Sequence, residues 1–91
     1  MYLLSFLVPK DAVETVKQAI FKTGAGTLGN YSQCAWQTLG EGQFMPLPGS
    51  DPSVGEIHKL ERGPEYKVEI VCTPEQIKAA VGALEQATNS L

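Results

Sequence analysis

The 91-residue sequence predicts an α+β domain of split βαβ type, in which an antiparallel sheet carries two helices on one face and an extended hairpin fills the middle. Three observations predict it. Each end of the chain has a strand-like apolar run followed by an amphipathic helical run. Sliding the first pair onto the second puts Tyr2 on Tyr66, Leu4 on Val68, Phe6 on Ile70, Val13 on Ile77 and Ile20 on Leu84. The segment between is rich in glycine, proline and aromatic residues, as ribbons and turns are. The length fits one domain, residues 1–91.

In order along the chain, YLLSFLVP (2–9) is a strand with Tyr2, Leu4, Phe6 and Val8 on one face and Leu3 and Leu7 on the other. Apolar residues on both faces suit a central strand. KDAVETVKQAIFKTGAG then places Val13, Val16 and Ile20 at helical spacing, with Asp11 and Glu14 spaced as a capping box and Gly24 as the stop. NYSQCAWQT and EGQFMP are expected to form a hairpin about residues 39–42, with Cys34 and Trp36 on its core face. PLPGSDPSVG is a loop, with Pro46, Pro48 and Pro52 spread through it, and EIHKLE is a further extended run. EYKVEIVC follows a turn at Arg62, Gly63 and Pro64. Thr73 then caps a second helix, Pro74 takes its first position, Gln76 completes the box, and Ile77, Ala80, Val81 and Leu84 form its buried stripe. This plan usually ends with a strand beside the first one. ATNSL supplies none, so either the sequence is shortened there or another chain covers the edge that the first strand would present.

A hydrophobic fraction of 43% with 19% charged residues is that of a chain with a packed core. Seven basic against ten acidic side chains, and no basic run, argue against nucleic-acid binding. The first apolar run is too short to cross a bilayer and lacks the features of a secretion signal, so a cytoplasmic protein with Cys34 and Cys72 reduced is expected. Both cysteines are placed on the core face of the sheet.

The residue types permit a few sites. Cys34, His58 and Cys72, with Glu56 or Asp51, include the donors that zinc or copper takes, although their spacing matches no ligand motif. Nucleophilic catalysis by Cys34 would need a base, and His58 is the one imidazole available, without a local signature. The glycines of GEG and GAGTLG open no predicted helix and precede no lysine, so turns explain them better than a phosphate loop. Tyr31, Trp36 and Phe44 are read as core or oligomer contact in preference to a ligand cage. Leu3 and Leu7, on the face away from the helices, are most simply explained if another subunit covers them.

Gly29, Asn30, Tyr31, Cys34, Gly40, Gly42, Phe44, Pro46, Gly49, Pro52, Gly55 and Glu56, preceded by FLVP and TGAGTLG, form a pattern that resembles the CutA-like domain inserted in bacterial Nif-three-like (YqfO-type) proteins. The resemblance covers nearly the whole chain. It implies a ferredoxin-like fold and a homo-oligomer, a trimer in the first instance, built through strand edges and extended ribbons. The family's histidine-containing C-terminal segment and last strand have no counterpart here, and neither has the histidine-rich dinuclear metal core of the larger proteins. The expectation is therefore a non-enzymatic regulatory or interaction module that requires no cofactor and has an unidentified protein partner. The alternative is a metal-ion or small-molecule binder whose site lies between subunits near Cys34, Trp36 and His58.

Overall fold

Val68, Ile70 and Cys72 alternate along a strand with Lys67, Glu69 and Val71, and that alternation divides the molecule into a covered and a bare side. The computed structural model describes residues 1–51, 55–89 and 91. Its strands β1 (Tyr2–Pro9), β2 (Ala35–Phe44) and β3 (Glu61–Cys72) form one antiparallel sheet in the order β1-β3-β2. Helices α1 (Val13–Phe21) and α2 (Ile77–Asn89) pack on the side of Val68, Ile70 and Cys72. Val8, Val16, Ile20, Val68, Ile70 and Ala80 have no solvent exposure, so both helices and the two strands they follow share one core. The alternation was read correctly. Of the two positions considered for the first strand, central or edge, the second is observed: among the described residues β1 pairs only with β3, and β3 is central.

The chain enters α1 through a short 3-10 turn at Lys10–Ala12, without a side-chain cap. The expected box of Asp11 and Glu14 does not form. Glu14 instead meets Lys17 Nζ at 2.9 Å, and the same ammonium donates to Gln37 Oε1 on β2 at 2.7 Å, tying the helix to the sheet. Gly24 ends the helix at φ +92°, a conformation open to glycine. At α2 the glutamine half of the box is present. The Thr73 N–H donates to Gln76 Oε1 at 3.1 Å, and Gln76 Nε2 donates to the Gly24 carbonyl at 2.9 Å, so one amide joins the end of α1 to the start of α2.

The middle of the chain departs from expectation. No hairpin turns at residues 39–42. β2 runs without a break from Ala35 to Phe44 and pairs with β3, from Ala35↔Ile70 to Phe44↔Glu61. Arg62, Gly63 and Pro64 are strand, not turn. Pro64 lies one step past the end of β1, whose last pair is Pro9↔Glu65. There β3 has a neighbour on one side only, and a residue without an N–H is tolerated. In EIHKLE, Ile57 and His58 form a turn, Glu56, Lys59 and Leu60 belong to no strand, and strand begins at Glu61. Pro52, read as part of the preceding loop, lies outside the described residues. The β2–β3 ribbon outruns β1 and stretches the molecule to 48 × 23 × 19 Å, with a radius of gyration of 14.9 Å. A compact chain of this length has roughly 12 Å.

Register also settles the cysteines. Ala35 stands opposite Ile70, which faces the helices, so Trp36 projects on the other side. Trp36 is 68% exposed and is not core. Cys72 is buried on the helix side, and Cys34, half-buried beside Leu3 and Trp36, is on the bare side; both are free thiols. The expectation that they share the core face is overturned.

Gly26 is wedged where β2 begins. Its N–H donates to the Val71 carbonyl at 2.8 Å, and its carbonyl accepts from the Cys34 N–H at 2.9 Å. At φ +86°, an added Cβ would come within 3.1 Å of both the Cys34 carbonyl oxygen and the Phe21 ring. Gly26→Ala is expected to destabilise the fold by about 2 kcal/mol or more. Gly29→Ala, at φ +56° with nothing within 4 Å, should cost only the left-handed penalty, about 1 kcal/mol. Urea midpoints at unchanged m-value measure both, and equal losses would refute the steric part of this account.

Candidate interaction surface

The side of the sheet away from the helices is covered by no described element. On it, Leu3, Ser5 and Leu7 of β1 stand opposite Val71, Glu69 and Lys67 of β3, while Trp36 and Thr38 of β2 flank Glu69 and Lys67 from the other edge. Leu3 is 57% exposed and Leu7 63%. Isolated exposed leucines are ordinary on a protein surface. Two leucines and a tryptophan around a single strand of one sheet face are a patch. The Trp36 indole N–H donates to Thr38 Oγ1 at 2.9 Å, which satisfies its polar end within its own strand and leaves the rest of the ring free for contact.

Two shallow hollows lie along this face. One, of about 270 Å³, is lined by Leu3, Leu28, Cys34, Trp36, Glu69 and Val71. The other, of about 300 Å³, lies toward the ribbon among Leu7, Thr38, Gly40, Gly42, Glu65 and Lys67. A Cβ on Gly42 would overlap the Glu65 carboxyl, so the glycine gives that side chain a place to lie across β2. Down the middle runs the β3 row Glu65, Lys67 and Glu69, in which the charges alternate.

The structure keeps the candidate donor residues of one chain apart. Cys34 precedes β2 at one end of the sheet, whereas Asp51, Glu56 and His58 follow β2 on the loop at its far end. Ten strand residues separate those ends, roughly 33 Å at the usual rise. Among the described residues no group of three or more His, Cys, Asp or Glu side chains comes together. Cys34 and His58 of one chain cannot form a nucleophile and base pair at hydrogen-bond distance. His58 adopts φ +61°, and its N–H donates to the Pro46 carbonyl at 2.7 Å, closing the base of the loop. Tyr31, 75% exposed, pairs with Leu28 in a bridge before β2, and Phe44 ends β2 at the ribbon tip. The three aromatics thus form no single cage. Around the tip, Met45, Leu47, Ile57 and Leu60 are also exposed, and the sequence reading did not single them out. Leu28 and Val71 were missed as well; Val71 was open to discovery, since it alternates with Ile70 and Cys72 on a strand whose core face was already assigned.

Three antiparallel strands with two helices on one face, connected as two strand-helix units, make this an α+β domain of the ferredoxin-like split βαβ kind. Its sequence is similar to the GTP cyclohydrolase 1 type 2 homolog of Mycobacterium leprae, with 47% identity over 74 residues, 81% of this chain and 19% of that protein. Similarity to the Bacillus subtilis protein of the same name is 40% over 81 residues, 89% of this chain and 22% of that one. A solved structure, that of a Bacillus cereus protein related to NIF3, superposes with a TM-score of 0.76 at 29% identity, covering 93% of this chain and 21% of its own. No family model matches the chain. The expected link to Nif-three-like proteins is therefore found. The chain spans about a fifth of the length of the curated relatives it matches. No helix among the described residues is long and apolar enough to cross a membrane.

The two thiols are expected to behave differently. Burial pushes the Cys72 thiol up from its ordinary pKa. Cys34 should react with an aromatic disulfide reagent in the native protein, and Cys72 only after unfolding. Because the unfolded thiol ionises first, the Cys72 contribution to stability is complete below the ordinary thiol pKa and is lost as pH rises above it. The fall in urea midpoint on the alkaline side should be shallower in Cys72→Ala. Equal slopes would contradict the assignment.

Proposed function

We propose that this chain is a non-enzymatic, CutA-like module of the cytoplasm that self-associates and serves regulation or interaction. The observation that carries this reading is the bare sheet face, where Leu3, Leu7 and Trp36 are more than half exposed around one charged row. Burying a leucine side chain is worth about 1.5–3 kcal/mol, so covering both leucines and the indole is a substantial driving force. The protruding β2–β3 ribbon supports the reading too, because it carries Phe44, Met45 and Leu47 away from the core to where a neighbouring copy can meet them. The trimer implied by the resemblance is the expected assembly. The activity in the relatives' name is not carried over, since the match covers about a fifth of each relative.

Light scattering behind size-exclusion chromatography, over a wide concentration range, tests this directly. The expected outcome is a stable trimer, with Trp36 emission shifting to the red on dilution as the indole returns to water. Leu3→Lys combined with Leu7→Lys should give a folded monomer with unchanged far-UV circular dichroism. A wild-type monomer at every concentration, or an unchanged oligomer in the double variant, would overturn the proposal.

A further inference from the structure

β2 carries Gly40, Glu41 and Gly42 along its unbroken course, and they pair with Glu65, Pro64 and Gly63 of β3. These three pairs begin at the level where β1 stops, since its last pair is Pro9↔Glu65. Side chains that face each other across a ladder are what stabilise it. Gly42 and Gly63 supply none, and Pro64 brings no N–H. The ribbon is weakest where it leaves the support of its third strand.

Neither space nor backbone geometry demands the glycines at 40 and 63. Both lie outside the left-handed region, and a Cβ added to either meets nothing within 4 Å. The register runs through them one residue to one, so they mark no bulge. Order resumes on both sides. Toward the body come Leu39↔Tyr66 and Thr38↔Lys67, and Tyr66 packs on the core. Toward the tip come Gln43↔Arg62 and Phe44↔Glu61, and beyond them the His58 N–H closes the loop onto the carbonyl of Pro46, which is buried.

We propose that the ribbon bends at the Gly42–Gly63 pair, so that the paired strand ends beyond it move as one arm against the body. The alternation that puts Lys67 and Glu69 on the bare side puts Gly63 and Glu65 there too, together with Gly40 and Gly42 opposite them. Glu65 is therefore the one side chain on that side of the three pairs, and its carboxyl lies across Gly42. Bending is least obstructed in that direction. Hollows of about 510 Å³, between Gly63–Pro64 and Pro9–Asp11, and about 260 Å³, among Pro9, Phe44 and Gly63, leave room beside the bend. Among the described residues the one ion pair that spans it, Arg62 Nε to Glu41 Oε1 at 3.8 Å, is long and exposed and holds it weakly. The arm ends in exposed Phe44, Met45 and Leu47, so the bend sets where those apolar side chains are presented. The device belongs to the ladder of a single chain and does not rest on self-association.

Two measurements test it, and both apply to the chain in whichever assembly it takes. In the unaltered protein, the ladder amides of residues 40–42 should exchange about tenfold faster than those of the pairs on either side. A ribbon that merely frays would instead exchange faster step by step toward its tip. The second measurement uses spin labels in a Cys34→Ser background, attached after Lys→Cys substitution at exposed Lys59, Lys78 and Lys10. The distance distribution from Lys59 beyond the bend to Lys78 on α2 should be about twice as broad as that from Lys10 to Lys78 within the body. Gly40→Val with Gly63→Val, which gives the ladder β-branched side chains where there is space for them, should narrow the first distribution to the width of the second. The inference is overturned if protection falls steadily toward the tip, if the two distributions are equally narrow, or if the folded double variant leaves the first as broad as before. Should that variant fail to fold, the exchange pattern and the two unaltered distributions decide.

Discussion

Everything else in the molecule depends on the two ladders made by β3. Among the described residues it is the one strand with a neighbour on each side, so its alternation decides the chemistry of both sheet faces at once. Val68, Ile70 and Cys72 face the helices and are buried, and the residues between them, Lys67, Glu69 and Val71, face away. β1 and β2 inherit their faces from that register. Val8 and Leu4 are drawn into the core on one side, and Leu3, Leu7 and Trp36 are left on the other. The exposed patch is a consequence of the same pairing that makes the core, and neither can be shifted without the other.

A second constraint holds the two strand-helix units together. They are separated by the whole ribbon, yet Gln76 and Gly24, 52 positions apart, share a hydrogen bond, and Gly26 bridges Val71 to Cys34. Gly24 and Gly26 both take positive φ. The chain leaving α1 therefore turns twice in conformations that other residues resist and arrives beside the end of β3, where β2 can start in register. The capping amide of α2 completes this join, so the local signal for a helix start is also a long-range contact.

Much of this was legible because periodicity is local. The strand at Tyr2–Pro9, both helices, the Gly24 stop and the Thr73–Gln76 box follow from spacing alone, and the bare position of Leu3 and Leu7 follows from the parity of their neighbours. β2 failed for a physical reason. Its Trp36, Leu39 and Phe44 fall on both parities, and glycines at 40 and 42 look like a turn, so the pattern names neither the buried face nor the continuity of the strand. Its faces are fixed by pairing with Ile70, which is a tertiary fact. Pro64 misled in the same way: it reads as a break, but is harmless where β3 has lost its β1 neighbour. The donor residues Cys34 and His58 looked close in type and are held apart by the length of β2, which no composition argument could supply.

The bare face is not simply a second core surface left open. A sheet face meant for permanent burial would be apolar throughout, and here the central row is Glu65, Lys67 and Glu69, flanked by Leu3 and Leu7 on one edge and Trp36 on the other. The charged row keeps the free face wettable, and the flanking apolar side chains make covering it favourable. Covering it also desolvates three charges, which is costly unless each meets an opposite charge or keeps access to water. A surface that fits must therefore match alternating signs along the row as well as fill the two hollows beside it. That requirement rejects a plain hydrophobic partner, and it makes recognition depend on register. The sequence thus meets one constraint twice: β3 alternates across its faces to make a core, and alternates in charge along its exposed face to limit what can dock there.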